Sequence, residues 1–147
     1  MTLKTPRLII IAGLLFTAAE VSSQNIEVTV TGIRSEKGQI AIGVITDDES
    51  FRKDKAVLEI QFPKKDLNNG SMTVSFSLEP GTWGLALLDD EDNNRLMEYN
   101  FLGIPKEGFG FSDYYHTGLS KPSFEMFSFD LVKDQSKSIK IKVRYIL

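Results

Sequence analysis

From residue 25 onward the chain alternates apolar and polar positions with a period of two, the signature of half-buried strands. Ile26, Val28 and Val30 alternate with Glu27, Thr29 and Thr31 before Gly32 ends the run. Ile40, Ile42 and Val44 alternate with Ala41, Gly43 and Ile45, so a second strand should be buried on both faces. Val57, Leu58, Ile60 and Phe62 predict a third strand closed by Pro63, and Met72, Val74, Phe76 and Leu78 a fourth, facing away from Ser71, Thr73, Ser75 and Ser77. Asn68-Asn69-Gly70 marks the turn between them, because Asn and Gly tolerate positive φ. Pro80-Gly81 sets another tight turn, followed from Thr82 to Leu88 by a strand apolar on both sides and therefore central.

The remainder is less regular. Asp47 to Lys55 is polar except for Phe51, which predicts one helical turn capped by Asp47 or Asp48 with Phe51 folded onto the core. Residues 89–122 are punctuated by Gly and Pro with little periodicity. A strand is expected from about Ser123 to Val132, and a last one from Ser138 to Tyr145, with Ile139, Ile141, Val143 and Tyr145 inward and Lys140, Lys142 and Arg144 outward. Those cations would keep a terminal strand from pairing edge to edge. Seven to eight short strands without a long helix predict an all-β fold, an antiparallel immunoglobulin-like sandwich, with a closed barrel as the alternative.

Residues 1–23 break the pattern. Lys4 and Arg7 precede an apolar run from Leu8 to Ala19, and small residues follow at Ala18-Ala19 and Ser22-Ser23. Basic, apolar, small is the order of a secretory signal peptide, and the run falls short of the ~20 residues that span a bilayer. Cleavage is expected after Ser23, leaving a single domain at 24–147. Losing Lys4, Arg7 and Glu20 takes the net charge from −3 to −4. That balance argues against nucleic acid as a partner, which favours basic proteins. With no cysteine in 147 residues, disulfides, thiolate zinc sites and cysteine nucleophiles are excluded. An exported domain without disulfides suits a bacterium, in the periplasm or outside the cell. No membrane span is expected after residue 23, and a monomer is.

Two segments carry candidate chemistry. In Asp89-Asp90-Glu91-Asp92-Asn93-Asn94-Arg95-Leu96-Met97-Glu98, the side chains of Asp90, Asp92 and Asn94 stand at i, i+2 and i+4, followed by the Leu96 carbonyl and the Glu98 carboxylate. This is the early spacing of a calcium loop, and an all-oxygen donor set suits Ca²⁺. Two positions depart from it: Arg95 stands where such loops carry Gly, and Phe101 where they carry a bidentate Glu. The second segment holds Phe101, Phe109, Phe111, Tyr114 and Tyr115 in a Gly-rich loop. Exposed, these rings would offer a glycan or a protein partner a binding surface. Packed, Phe101, Phe109 and Phe111 would cover the open end of the sandwich. The lone His116 has no nucleophile elbow or second His to work with.

The stretch from Pro80-Gly81-Thr82-Trp83 through Asp90 to Ser112 resembles the bacterial domain-of-unknown-function 2141 family, small exported proteins. The likeness rests on the Pro-Gly-x-aromatic turn, the acidic loop, and the phrase Asn100–Ser112 (NFLGIPKEGFGFS). It implies an exported sandwich similar to transthyretin-like or prealbumin-like domains, with the family's acidic loop falling on Asp90, Asp92, Asn94 and Glu98. The expected function is that of a non-catalytic binding or envelope-accessory module, stabilised by calcium at the acidic loop. The alternatives are a carbohydrate-binding module and a hydrolase of envelope glycans using carboxylates from Asp89–Asp92 or Glu107.

Overall fold

The computed structural model describes residues 24–146, so the expected signal peptide lies outside the described residues. The elements are β1 (Gln24–Thr31), β2 (Gln39–Ile45), α1 (Asp48–Arg52), β3 (Leu58–Pro63), β4 (Ser71–Leu78), β5 (Gly81–Asp90), β6 (Gly108–Phe111), β7 (Ser128–Leu131) and β8 (Lys137–Lys142). They form an all-β sandwich of two sheets. One is three-stranded, in the order β4-β1-β8; the other is five-stranded, in the order β3-β2-β5-β6, with β7 also on β5. All pairs are antiparallel except β1 with β8, which run parallel. The chain returns to its own beginning after crossing the whole fold, and that long crossover permits a parallel pair.

Alternation does what the sequence implies. Ile26, Val28 and Val30 of β1, Met72 and Val74 of β4, and Ile139 and Ile141 of β8 meet Ile40, Ile42 and Val44 of β2 and Leu85 and Leu87 of β5 in one buried core. A second cluster lies on the outer face of the five-stranded sheet, where Phe51, Phe111 and Phe127 pack on Ile45. The Phe51 ring centroid lies 4.9 Å from that of Phe127 and 5.7 Å from that of Phe111. Phe51 is delivered by α1, whose N-cap Asp47 accepts a hydrogen bond from Ser50 N at 2.7 Å. Asp48 accepts from Phe124 N at 3.0 Å, tying this turn to the segment before β7.

Two expectations need correcting. Residues 89–122 are not without a strand: β6 lies at Gly108–Phe111 and pairs with β5. Its inward positions are glycines because the C-terminal segment passes directly over them. A Cβ on Gly110 would stand 2.5 Å from the Ile141 side chain, and one on Gly108 2.4 Å from the Tyr145 ring. Phe109 N donates to Arg144 O at 3.0 Å and Arg144 N to Phe109 O at 2.8 Å, lacing the two sheets together on this side in partial barrel fashion. The strand expected over 123–132 instead opens with a 3₁₀ turn at Phe124–Met126 and is extended only at Ser128–Leu131. That turn brings Phe124 and Phe127 to the same aromatic cluster, as an i, i+3 pair does in a 3₁₀ turn. Among the described residues, no helix is long and apolar enough to cross a membrane.

One end of the inner core is closed by a charge. Asp89, on the inward face of β5, has 0% exposure, and its carboxylate forms an ion pair with Lys64, whose side chain is 1% exposed. Lys64 Nζ also donates to Ser35 O (2.9 Å) and Lys37 O (2.6 Å). Tyr145 Oη donates to Asp89 Oδ2 and accepts from Arg34 N at 3.1 Å. Burial, and then the adjoining Asp89 carboxylate, push the Tyr145 phenol far above its ordinary value, so it remains a donor. Arg34 stacks over the Tyr145 ring at 4.3 Å and grips Glu91 with two hydrogen bonds of 3.0 and 2.9 Å.

Removing one partner of a buried ion pair leaves an uncompensated charge, which costs about 3–5 kcal/mol. Lys64→Met is therefore expected to destabilise the chain by roughly that amount in urea unfolding. Lys64→Met with Asp89→Leu should recover much of the loss. A double variant no more stable than the single one would contradict the pairing.

Candidate functional site

Asp90 follows Asp89 and so points to the opposite face of β5. It too has 0% exposure, but what surrounds it differs. Its Oδ1 accepts from Asn94 N at 3.0 Å, and its Oδ2 from Arg95 N at 3.1 Å and Gln39 Nε2 at 2.7 Å. Asp92 Oδ1 shares Asn94 N at 3.0 Å, and its Oδ2 accepts from Asn94 Nδ2 at 2.9 Å. The acidic loop is thus curled around its own carboxylates. Asn93 and Arg95 take left-handed backbone, with φ of 62° and 61°. Arg95 stands where a calcium loop carries glycine, and it adopts the backbone region that glycine would supply, at a cost on the order of 1–2 kcal/mol.

The third member comes from elsewhere in the chain. Glu107, immediately before β6, is only 6% exposed. Its Oε2 lies 3.4 Å from the donor Glu98 N, and its Oε1 is buried with no hydrogen-bond partner among the described residues. Ligand oxygens of Asp90, Asp92 and Glu107 all lie within 4.8 Å of one another, and none of the three carboxylates forms an ion pair among the described residues. Burial first, and then the negative charges of Asp92, Asp90 and Glu98, hold the Glu107 carboxyl above the ordinary glutamate range. Three acids converging on one point without a cation is an arrangement that a divalent ion with oxygen preference would neutralise.

The expected ligand set is therefore only partly assembled. Asp90 and Asp92 come together, but Asn94 Oδ1 turns back to accept from Leu96 N at 2.7 Å. Glu98 faces Lys106, its carboxylate 3.5 Å from Nζ, while its backbone O accepts from Lys106 N at 2.9 Å. Sequence spacing within one loop could not find Glu107, since it arrives through strand pairing. The available signal was a lone acid at the foot of a Gly-Phe-Gly-Phe segment otherwise built for burial.

The aromatic loop divides. Phe111 is buried in the outer cluster, and Phe109 and Tyr114 are half-buried against it. Tyr115 is exposed with Lys142 Nζ 4.9 Å over its ring, and Phe101, 94% exposed, covers nothing. Asp89, named in the hydrolase alternative, is enclosed with Lys64 and Tyr145 rather than set in a cleft.

Residues 28–140 match the family described as uncharacterised protein conserved in bacteria (DUF2141). With most of the chain covered, including Asp90, Asp92 and Glu107, the chain belongs to this family. No curated protein and no solved structure matches it.

The raised Glu107 value has a signed consequence. The folded chain holds the Glu107 proton more tightly than the unfolded chain does, so this group's contribution is fully present below about pH 4.3 and is lost as pH rises through the raised value. Melting temperatures in chelator should accordingly fall over that window, and Glu107→Gln should remove this part of the fall and melt higher than the parent at pH 7. Parallel pH profiles for the two proteins would count against the arrangement.

Proposed function

We propose that this chain is an exported, non-catalytic binding module of the bacterial envelope, with one loop end fastened by a single Ca²⁺ held between Asp90, Asp92 and Glu107. The observation that carries the calcium reading is the Glu107 Oε1 atom, buried, without a hydrogen-bond partner, and converging with two further carboxylates. A buried carboxylate oxygen without a partner is costly, and coordination by a cation is one of the few ways to satisfy it. Ca²⁺ accepts six to eight oxygens in flexible geometry, which suits an irregular loop offering carboxylates and carbonyls better than the strict octahedron Mg²⁺ requires.

Export rests on the basic, apolar and small-residue succession over 1–23 and on the absence of cysteine. A binding role is favoured over hydrolysis because Asp90 and Asp92 are engaged with the backbone and side chains of their own loop and Asp89 with Lys64. N-terminal sequencing of the protein from expressing cells should begin at Gln24.

Saturating Ca²⁺, at ~100 times its dissociation constant, adds about 2.7 kcal/mol. For a domain of this size that is a rise in Tm of roughly 8 °C over the chelator-treated protein. Asp92→Asn or Glu107→Gln should abolish the rise, and Mg²⁺ should give less of it. Equal melting temperatures in Ca²⁺ and in chelator would end the calcium reading.

A further inference from the structure

The outer face of the five-stranded sheet is only half covered. The aromatic cluster occupies one half. Over the other lies a groove of about 540 Å³, floored by Ala41, Gly43, Ala86 and Leu88. These four sit together because the strand register places Ala41 opposite Leu88 and Gly43 opposite Ala86. A sheet face that meets water ordinarily carries polar side chains. Here Ala41 and Ala86 are too small to fill the space above them, and Gly43 is met by Ala56, whose side chain would stand 3.2 Å from a Cβ placed there. None of the four can hydrogen-bond through its side chain, so they leave a concavity that water wets poorly. Its volume lies in the ~300–1,000 Å³ range of small-molecule sites.

Two loops wall the groove, and both are anchored. Tyr99 and Pro105 come from the loop pinned by hydrogen bonds from Asn100 N to Ile104 O (2.9 Å) and from Lys106 N to Glu98 O. Leu119 comes from a loop held by Arg144 Nη1, which donates to His116 O (2.8 Å) and Gly118 O (2.7 Å), and by His116 Nε2, 2.6 Å from Ser120 O. Leu96, Tyr99 and Leu119 are exposed at the rim.

Charge sets the ligand's polarity. Arg95 lines the groove, and its guanidinium has no ion-pair or hydrogen-bond partner among the described residues; Lys121, also lining it, is engaged with Asp54 and with Phe51 O. Of the acids, Asp54 is taken by Lys121. Glu59 stands on β3 opposite Gly43, four residue pairs along the strands from the Asp90 end that carries Arg95. The Asp90, Asp92 and Glu107 carboxylates adjoin the Arg95 backbone without lining the groove. We infer that the groove binds a single-chain amphiphile with an anionic head, its apolar chain laid over Ala41, Gly43, Ala86 and Leu88 and its head at Arg95. The inference goes beyond the calcium reading; because the acid cluster adjoins Arg95, decanoate should bind more weakly in chelator than in calcium if that reading holds, and equally in both if it does not.

Calorimetric titration of the purified chain, in calcium and again in chelator, with decanoate, decanol and decyltrimethylammonium below their micelle concentrations tests this. Decanoate should bind saturably at one site per chain. The alcohol should be about tenfold weaker, the loss of one charge-assisted contact, and the cation weaker still. Arg95→Gln should bring decanoate down to the level of decanol while leaving decanol unchanged. Ala86→Leu and, independently, Ala41→Leu should weaken all three, with β-sheet circular dichroism retained. No saturable decanoate binding, a head preference indifferent to Arg95, or full affinity in both floor variants would overturn the inference. A response to calcium with no decanoate binding would remove this inference and leave the calcium reading; the reverse outcome would do the opposite.

Discussion

A strand places successive side chains on opposite faces, and β5 ends in two successive carboxylates, both wholly buried. That constraint organises this end of the molecule. On the inner face, Asp89 is answered from within the chain by Lys64 and Tyr145, and the same network reaches Arg34 and Glu91. On the outer face, Asp90 has hydrogen bonds from the loop that follows it but no cation, and Asp92 and Glu107 add two more acids. A buried carboxylate needs a counter-charge or a proton. The inner one has its lysine; the outer group has neither among the described residues, and this is the gap that the proposed Ca²⁺ would fill.

The second organising feature is that β2 and β5 are apolar on both faces. Their inner faces share a core with the three-stranded sheet, and part of their outer faces is covered by Phe51, Phe111 and Phe127. The aromatic cluster and the groove are thus two treatments of one surface. Where large rings descend from α1, β6 and the turn before β7, the sheet is sealed. Where the sheet offers Ala41 and Ala86, it is left hollow beneath anchored loops. Arg95 belongs to both features: its backbone N–H bonds to Asp90 beside the acid cluster, while its side chain lines the groove.

Much of this was legible in the chain itself. Alternation located β1, β2, β4 and β8, Asp47 capped the turn that carries Phe51, and Asn69-Gly70 takes the left-handed backbone its composition implies, with φ of 49° and 72°. The i, i+2 spacing brought out Asp90 and Asp92. What stayed hidden depends on contacts distant in sequence. β6 reads as a loop because glycine replaces the apolar residue wherever the C-terminal segment crosses over it. Lys64, within Lys64-Lys65-Asp66, reads as a solvated cation until β5 brings Asp89 against it. Glu107, named among the candidate hydrolase acids, is not legible as a partner of the calcium loop until β6 pairs with β5 and carries it to Asp90.

The central claim, that the outer acids are completed by a cation, is tested most directly by anomalous diffraction from crystals grown in calcium. One calcium peak is expected among Asp90, Asp92 and Glu107, at the ~2.3–2.6 Å from their oxygens that Ca²⁺ takes. A map with no peak there, and Glu107 donating a proton to a neighbouring carboxylate instead, would contradict it.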